Sequence, residues 1–457
     1  MNLLKAGFSR VNATPPLGIG IRGYFKPRIA DGVLDELEIN TLALAVEDKK
    51  VLLISFDNCG MSRVTSDWFR AYVAEQAGVD PQAVFISCTH THQGPFIASP
   101  DDQESDTEGL SLSDPLIQEY SHFARGRMAD GARMALADLQ DAKMGFATGI
   151  APHISFVRRF RMKDGSVATN PGPNNPNVVG PIGEVDERVH VLRFDREKDS
   201  LILVNFGTHP DVIGGNKISA DWPGFLRRTV EKTLDNTKCI FFNGAQGDVN
   251  HVNVFPKGGD ENDMFLDFDD VPRGYAHSRY MGRVVAGGVL QAFDKVEYKD
   301  VDSLRYAMKE VAIPSQMPRP EELPEAHRIN DLHQAGRDAD LPWRGMMLTT
   351  KVAEAGRMVK LEHGPDHFDM HMSAVAIGDV ALVGIPGEPF TGIGLGLKAA
   401  EGWRGVLPVC LTNGGDGYFP MKEAYDEGGY ETQSSPFAPE TAQLLITEGC
   451  ALLDTLR

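Results

Sequence analysis

The chain has 457 residues, with 45 lysines and arginines against 64 aspartates and glutamates, and a formal net charge of −19 at pH 7. Its 42% hydrophobic and 24% charged residues are typical of globular proteins, which excludes a disordered or fibrous chain. The acidic excess argues against nucleic acid or an anionic membrane as the main partner. The length allows a sizeable core, in one α/β domain or in two fused halves.

Targeting and cysteine signals favour a cytoplasmic protein. The start, Met1–Gly7, lacks the apolar centre of a signal peptide, and no run approaches the roughly 18 apolar residues that cross a bilayer. The five cysteines are widely scattered and no two have the Cys-x-x-Cys spacing. The sequence therefore predicts neither a disulfide framework nor a cysteine-built zinc knuckle.

The first part of the chain predicts a strand–helix–strand unit. Residues 6–40, rich in Gly and Pro, predict an extended lead-in. Two β-like runs follow at 41–46 and 51–56, then a helix at about 63–77 and a strand at 84–87. Asp57 and His90 would then lie at the carboxyl ends of strands, where open α/β sheets bind ligands.

The stretch Thr89-His90-Thr91-His92-Gln93-Gly94-Pro95 is the strongest local signal in the chain. Residues i and i+2 of an extended segment project to the same side, so His90 and His92 can face one cavity. Such a pair is typical of a metal site or an acid–base site. Two histidines in a polar loop can equally be surface or hydrogen-bonding groups.

The rest of the chain predicts further strands and helices separated by long irregular loops. The predicted strands are 143–149, 201–206, 239–242, 303–313, 372–383 and 405–411, and the predicted helices are about 114–139, 223–234, 275–293, 318–340, 390–401 and 438–456. The irregular segments are 96–113, 153–190 and 256–273. No internal repeat or linker is visible, which favours one integrated domain over 1–457.

Further polar residues follow predicted strands. His209 comes after strand 201–206, Glu388 lies between a strand and a helix, and Asn250 belongs to a Gly-containing loop after strand 239–242. A second histidine at a strand end strengthens the metal hypothesis, although a carboxylate at position 388 could simply favour a helix N-terminus. Arg158 opens a cationic run, which either holds an anionic or carbonyl oxygen or forms surface ion pairs.

Taken together, these motifs resemble the zinc-bearing amino-terminal domain of the neutral ceramidase family. Thr89–Pro95 is similar to the family's Thr-His-Thr-His-Ser-Gly-Pro. The other matching elements, in the family's order along nearly the whole chain, are Gly23-Tyr24, Asp31-Gly32-Val33, His209-Pro210, Gly247-Asp248-Val249, Pro386-Gly387-Glu388, and Asn413 with Tyr418 and Glu423-Ala424-Tyr425.

The resemblance implies a layered, mixed-sheet α/β catalytic domain with its site at strand carboxyl ends. It implies one Zn²⁺ held by His90, His209, Glu388 and Tyr418. His92 would assist beside the metal, and Arg158, in preference to Arg159, would bind the amide carbonyl. The implied reaction is cleavage of a C–N amide bond of an N-acyl substrate by zinc-activated water.

Two departures from the family change the expected substrate. The family has a serine, implicated in substrate binding and catalysis, at the position of Asn250. The sequence ends at Arg457 without the family's carboxyl-terminal immunoglobulin-like domain, and it lacks an export signal. A smaller soluble amide or ester is therefore expected in preference to membrane ceramide, with its specificity set by the irregular loops.

Two other functions remain open at this point. A metallophosphoesterase or ester hydrolase with two metals could draw its second site from Asp57, Asp221, Asp248 and His251. Alternatively, Asn250 marks a non-catalytic relative that only binds a substrate. One tightly held zinc favours the amidase hypothesis, and two metals favour the phosphoesterase.

Overall fold

The computed structural model describes residues 3–102, 110–415 and 417–457, and its fold repeats one arrangement three times. Each repeat, called here the first, second or third unit, has three consecutive antiparallel strands and a fourth strand parallel to the third. A helix joins the third strand to the fourth, because parallel neighbours need a crossover connection.

The strands of the units are equivalent in order. The first unit has Leu4–Asn12, Glu38–Val46, Lys49–Phe56 and Val84–Cys88; the second has Lys143–Ile150, Arg188–Asp195, Ser200–Phe206 and Thr237–Asn243; the third has Leu304–Pro314, His367–Ile377, Val380–Gly384 and Gly405–Val409. Short strands at Gln140–Asp141 and Glu297–Lys299 extend the first and second sheets beside their first strands.

Two helices cover the outer face of each sheet. The crossover helices are Arg63–Ala77, Asp221–Thr233 and Thr391–Lys398, and the closing helices are Pro115–Ala137, Tyr275–Phe293 and Thr441–Asp454. Each pair packs on its own sheet through a separate apolar cluster. No helix in the described part of the chain is both long and apolar enough to cross a membrane.

The inner faces of the three sheets share one central core. Leu53, Leu203 and Leu382, each on the third strand of its unit, belong to the same buried cluster. The strands are therefore buried on both faces, by this core on one side and by helices on the other. Burial on both faces explains why they read as continuous apolar runs in the sequence.

The carboxyl ends of the fourth strands meet at one place. The backbone N–H of Cys88 donates to the carbonyl of Leu411 (3.2 Å), and that of Cys410 donates to the carbonyl of Asn243 (3.0 Å). The Asn243 side chain in turn donates to the carbonyl of Thr89 (3.2 Å). The loops that follow these strands are thus held together at this end of the molecule.

The predicted mixed-sheet α/β class is confirmed, and the structure adds a repeat of topology that is not visible as a repeat in the sequence. The repetition lies in the order and direction of strands, and different insertions separate the equivalent strands of the three units. The third unit carries the helices Leu323–Gln334 and Gly345–Leu361, which pack together through their own apolar cluster. The second of these helices was not predicted.

Several segments predicted as irregular contain strands. The lead-in at 6–40 includes most of Leu4–Asn12, which pairs along its whole length with Glu38–Val46. The loop at 153–190 contains a three-stranded sheet of Arg159–Met162, Val167–Thr169 and Val178–Pro181. Residues 103–109 of the predicted loop at 96–113 lie outside the described residues.

The remaining elements are short. They are the strand pairs Gly32–Val33 with Lys217–Ile218, Phe156–Val157 with Val249–Asn250, Phe265–Leu266 with Pro272–Arg273, and Glu388–Pro389 with Tyr418–Phe419; the helices Lys422–Glu427 and Tyr430–Ser434; and the 3₁₀ turns Pro81–Ala83 and Asp338–Asp340. The predicted helix at 318–340 is confined to Leu323–Gln334 and the 3₁₀ turn. The five cysteines form no disulfide.

Candidate active site

Three buried ligand atoms, one from each unit, meet at the end of the molecule where the fourth strands converge. His90 Nε2 lies 3.1 Å from His209 Nε2 and 3.2 Å from Glu388 Oε2, and His209 Nε2 lies 3.4 Å from the same oxygen. His90 follows the fourth strand of the first unit, whereas His209 and Glu388 follow the third strands of the second and third units. The three units together therefore form the cluster.

The other ring nitrogens of the two histidines are held by backbone carbonyls. His90 Nδ1 lies 2.6 Å from the carbonyl oxygen of Cys59, and His209 Nδ1 lies 3.1 Å from that of Gln246. A carbonyl only accepts, so each Nδ1 must donate, and in the neutral ring the lone pair of Nε2 then points at the centre. Two lone pairs and a carboxylate converge, and they repel one another until a cation or a proton lies between them.

The charges in the cluster follow from this convergence. Although burial opposes ionisation, the neighbouring His90 holds the pKa of Glu388 down to about 2. Burial lowers the pKa of His90, but Glu388 and Cys59 together outweigh burial and raise that pKa well above its usual value. Burial, with Arg158 nearby, lowers the pKa of His209. A positive charge between His90 and Glu388 is thus favoured, and a metal ion can replace the proton.

The donor set fits zinc. Two imidazole nitrogens and one carboxylate are the protein ligands of many catalytic zinc sites, and carbonyl partners on the outer nitrogens fix the tautomer in such sites. Among the described residues, the other potential metal-binding group of His, Cys, Asp and Glu is Cys59, His90 and His92, which shares His90 with the first group. Both groups are therefore centred on His90.

Tyr418 lies at the edge of the cluster. It is the register partner of Glu388 in a short parallel strand pair, and its ring stacks on that of His209 with centroids 6.3 Å apart. The guanidinium carbon of Arg158 lies 5.1 Å from the centroid of the Tyr418 ring. Burial raises the pKa of Tyr418, while the positive charge of Arg158 acts in the opposite direction.

His92 lies beside His90, with its Nε2 3.2 Å from His90 Nε2. Its Nδ1 is buried without a hydrogen-bond partner among the described residues, and the closest carboxylate oxygen of Asp211 is 3.8 Å away. Burial lowers the pKa of His92 to about 3. A Cβ atom on Gly23 would lie 2.8 Å from the His92 ring, so the backbone at Gly23 lies directly against it.

The two candidate arginines point to different places. Arg158 Nη2 donates to the carbonyl of Gly247 (2.5 Å), and its Nε lies 2.7 Å from a carboxylate oxygen of buried Glu431, without the alignment of a hydrogen bond. Arg159 Nη2 instead lies 3.2 Å from a carboxylate oxygen of Glu427 and donates to the carbonyl of Gly428 (2.9 Å). Of the two, Arg158 is the one that lies against Tyr418.

Asn250 is next to the site in the chain, and its side chain is tied to neighbouring loops. Its Nδ2 donates to Asn170 Oδ1 (3.1 Å), and its Oδ1 accepts from the backbone N–H of Val252 (3.0 Å). The carbonyl of the preceding residue, Val249, accepts from the backbone N–H of His209 (3.3 Å). The structure therefore gives Asn250 a structural environment close to a candidate metal ligand.

The four residues considered for a second metal are each bonded elsewhere in the fold. Asp57 pairs with Arg227, Asp221 accepts from Ser278, Asp248 accepts from Thr391, and His251 contacts the carbonyl of Pro272. Neither metal-binding group found among the described residues includes any of the four. The structure does not bring them together as a second site.

Sequence patterns missed several groups around the cluster. Gln246 Nε2 lies 3.3 Å from Glu388 Oε2, and Gln246 belongs to a loop that had been noted only for its glycines. Glu431, which faces Arg158, had no signal, because it lies in a short helix far along the chain. Asp211, the carboxylate nearest to His92 Nδ1, could have been noticed because it lies two residues after His209 in the sequence.

Comparisons with known proteins rest on structure. No family model matches the sequence, and no curated protein matches it. Among solved structures, neutral ceramidase from Pseudomonas aeruginosa is 16% identical with a TM-score of 0.73, over 100% of this chain and 75% of that one. A structure of a ceramidase complexed with C2 is 15% identical with a TM-score of 0.71, over 100% of this chain and 76% of that one. Over its whole length, the chain therefore has the fold of the neutral ceramidases.

Proposed function

We propose that the protein is a zinc-dependent hydrolase of the neutral ceramidase superfamily that cleaves the C–N amide bond of a small N-acyl substrate. The observation that carries the proposal is the convergence of His90 Nε2, His209 Nε2 and Glu388 Oε2, all buried and within 3.1 to 3.4 Å of one another. The ceramidase fold supports the same reaction class.

His90, His209 and Glu388 would hold the zinc, and Tyr418 would be the fourth ligand. The short strand pair brings Tyr418 opposite Glu388, and its ring lies against that of His209. In such sites zinc polarises a carbonyl and makes a nucleophile from water near neutral pH. Arg158, beside Tyr418, favours the ionised phenol that a metal ligand requires.

His92 is the proposed proton-transfer group. Its Nε2 faces the cluster, and burial keeps the ring neutral before the reaction, while Asp211 and Glu388 favour its protonated form. Negative charge that develops during attack would favour that form further, so the ring would take a proton from the attacking group and give it to the leaving amine. Arg158 is the proposed partner of the substrate carbonyl oxygen, because its fixed positive charge stabilises the negative charge that develops there. The buried carboxylate of Glu431, 2.7 Å from Arg158 Nε, helps to hold the guanidinium in place.

Asn250 is proposed to contribute less to the chemistry than the ligands do. Its two side-chain groups are engaged with Asn170 and with the backbone of Val252. Zinc-assisted hydrolysis does not need a serine at this position. Residues 1–457 are proposed to form a single catalytic domain, because the central core joins all three units and the cluster takes one residue from each.

The proposal is tested by release of free amine from a panel of N-acyl compounds that vary in acyl chain and amine. We expect turnover of at least one amide, loss of turnover on removal of metal, recovery with Zn²⁺, and no turnover by His90→Ala. Asn250→Ala should retain turnover within about tenfold, since its lost contacts are structural. Phosphoester turnover with no amide turnover, or amide turnover that survives His90→Ala, would refute the proposal.

A further inference from the structure

A small cavity in the second unit lies apart from the cluster of His90, His209 and Glu388. It is formed between the loop at 251–264 and the start of helix Tyr275–Phe293. This cavity, called here the His251 pocket, is lined by His251, His277, His153, Asp260 and Glu261, among others. Three histidines and two carboxylates around one cavity are an unusual concentration of ligand groups.

Two of these imidazoles have buried nitrogen atoms without partners. His251 is 1% exposed, and its Nε2 lies 2.7 Å from the carbonyl oxygen of Pro272. Since that carbonyl can only accept, Nε2 donates, and the lone pair is on Nδ1. In the described part of the chain, neither this Nδ1 nor His277 Nε2 has a hydrogen-bond partner. A buried polar group without a partner is destabilising unless something binds it.

The size of the cavity limits what can bind there. Its volume is about 20 Å³, which is room for about one water molecule or one small ion. Burial lowers the pKa of His277, and nearby Asp260 opposes that shift by its negative charge. A small cation that binds nitrogen lone pairs and a carboxylate matches both the size and the charge of the cavity.

We propose that the His251 pocket is a second metal site, which binds a divalent transition-metal ion such as Zn²⁺ through His251 Nδ1, His277 Nε2 and the Asp260 carboxylate. Imidazole with carboxylate is a donor set that suits zinc and its neighbours in the transition series. None of these residues belongs to the cluster around His90. The proposal does not depend on the reaction assigned to that cluster.

The pocket is more open than the catalytic cluster. The ring centroids of His251 and His277 are 5.9 Å apart, whereas those of His90 and His209 are 4.6 Å apart. His277 is half-buried in the first turn of its helix, and Asp260 lies on an exposed loop, where its Oδ2 accepts from Asn253 Nδ2 (3.0 Å) and from the backbone N–H of Lys257 (2.8 Å). Binding of the ion would draw the side chains of His277 and Asp260 toward the fully buried His251. The ion would then tie the loop at 251–264 to the helix.

This link gives the second ion a structural role near the active site. His251 directly follows Asn250, and the carbonyl of Val249 accepts from the backbone of His209. An ion that holds His251 in place would therefore also hold residues 249–250 in place, and the Val249 carbonyl supports His209, a proposed ligand of the first metal. The ion in the His251 pocket contacts no atom of the His90 cluster and has no direct part in the reaction.

The test is the number of zinc ions bound per chain. The full-length protein is stripped with a chelator, equilibrated by dialysis against Zn²⁺ alone, and measured by inductively coupled plasma mass spectrometry. We expect two ions in the wild type, one in His251→Gln, one in His90→Ala, and none in the double variant. In His251→Gln, the side-chain NH₂ group can donate to the Pro272 carbonyl in place of the imidazole Nε2. The glutamine has no nitrogen lone pair to replace Nδ1 as a metal ligand.

His277→Asn is the second variant and should also bind one ion. It decides the test if circular dichroism shows that His251→Gln does not fold. His327→Asn is the matched control, because His327 is a half-buried histidine paired with Glu362 (2.7 Å) outside the pocket, and it should still bind two ions. A wild type that binds one ion, lost in His90→Ala, would overturn the proposal. So would a second ion that persists when His251 and His277 are replaced.

Discussion

Glu388 and Tyr418 face each other as register partners in the parallel strand pair Glu388–Pro389 and Tyr418–Phe419. The backbone N–H of Glu388 donates to the carbonyl of Gly417 (2.9 Å), which fixes the two segments side by side. The segments follow the third and the fourth strands of the third unit, respectively. One unit thus presents both a carboxylate and a phenol to the cluster.

Tyr418→Phe tests whether the phenol binds the metal. The substitution removes the hydroxyl and keeps the ring that stacks on His209, so the fold should be retained. We expect zinc affinity to fall about 10- to 100-fold, as when a supporting or weak ligand is lost. Competition with a chromophoric chelator measures the affinity.

Tyr425→Phe is the control for loss of a buried tyrosine hydroxyl. The Tyr425 hydroxyl donates to the carbonyl of Phe437 (2.7 Å) and lies 3.3 Å from Ser435 Oγ, which itself donates to the backbone carbonyl of Tyr418. Since none of these partners is a proposed ligand atom, loss of the hydroxyl should lower stability by about 1 kcal/mol and leave zinc affinity unchanged. If both variants bound zinc as the wild type does, Tyr418 would not be a ligand.

Gly23→Ala tests whether the position of the His92 ring matters for activity. The added Cβ would lie 2.8 Å from two atoms of that ring, and Gly23 has a φ of +125°, which L side chains rarely adopt. We expect the ring to be displaced, with kcat reduced at least about tenfold, because an error of 1 Å in a catalytic group is costly. Zinc bound by His90 and His209 should remain.

Gly165→Ala separates the effect of contact from that of backbone strain. Gly165 also has a positive φ, of +86°, but a Cβ there would meet nothing within 4 Å. It should lose about 1–2 kcal/mol of stability, as L residues do in the left-handed region, and keep its kcat. Equal kcat in the two variants would show that the position of His92 is unimportant.

Much of the site could be predicted from local sequence. His90, His209 and Glu388 each follow an apolar run that is a strand in the structure, and ligands gather at such strand ends. The apolar runs were readable because these strands are buried on both faces. The helices Arg63–Ala77 and Tyr275–Phe293 begin and end at the predicted residues.

What could not be predicted depends on contacts between distant segments. The threefold repetition lies in strand order, which no short motif records, and insertions of different kinds hide it. The strand Leu4–Asn12 looked irregular until its pairing with Glu38–Val46 was seen. Likewise, nothing near Arg158 in the sequence indicated that Glu431 would lie beside its guanidinium.

Arg227→Met tests the structural role of Asp57, which the sequence allowed as a metal ligand. Both oxygens of Asp57 accept from the Arg227 guanidinium, at 3.0 and 2.6 Å, and both side chains are buried. Removal of the arginine leaves a buried carboxylate without its main partner. We expect a loss of about 3–5 kcal/mol in the free energy of unfolding, measured with urea.

The double variant Asp57→Asn with Arg227→Met should recover part of that loss, because it removes the uncompensated charge as well. Asp57→Asn alone should bind as much zinc as the wild type. A fall in bound zinc in that variant would instead support Asp57 as a ligand.

His190 predicts a dependence of stability on pH. It lies in the second strand of the second unit, its Nδ1 is 2.9 Å from Thr148 Oγ1, and its Nε2 is buried without a hydrogen-bond partner among the described residues. Burial, with the positive charge of Lys398, lowers its pKa to about 3, although Asp186 acts in the opposite direction. In the unfolded chain a histidine has a pKa of about 6.5.

Between about pH 6.5 and 3 the unfolded chain therefore binds a proton at His190 that the folded chain does not. Stability attributable to this residue is complete above pH 6.5 and falls as the pH is lowered, by up to about 1.4 kcal/mol per pH unit. His190→Asn keeps a polar partner for Thr148 and removes the titration. Urea unfolding across this pH range should show a shallower loss of stability in the variant than in the wild type. Parallel curves would mean that His190 is protonated in the folded protein as readily as in the unfolded one.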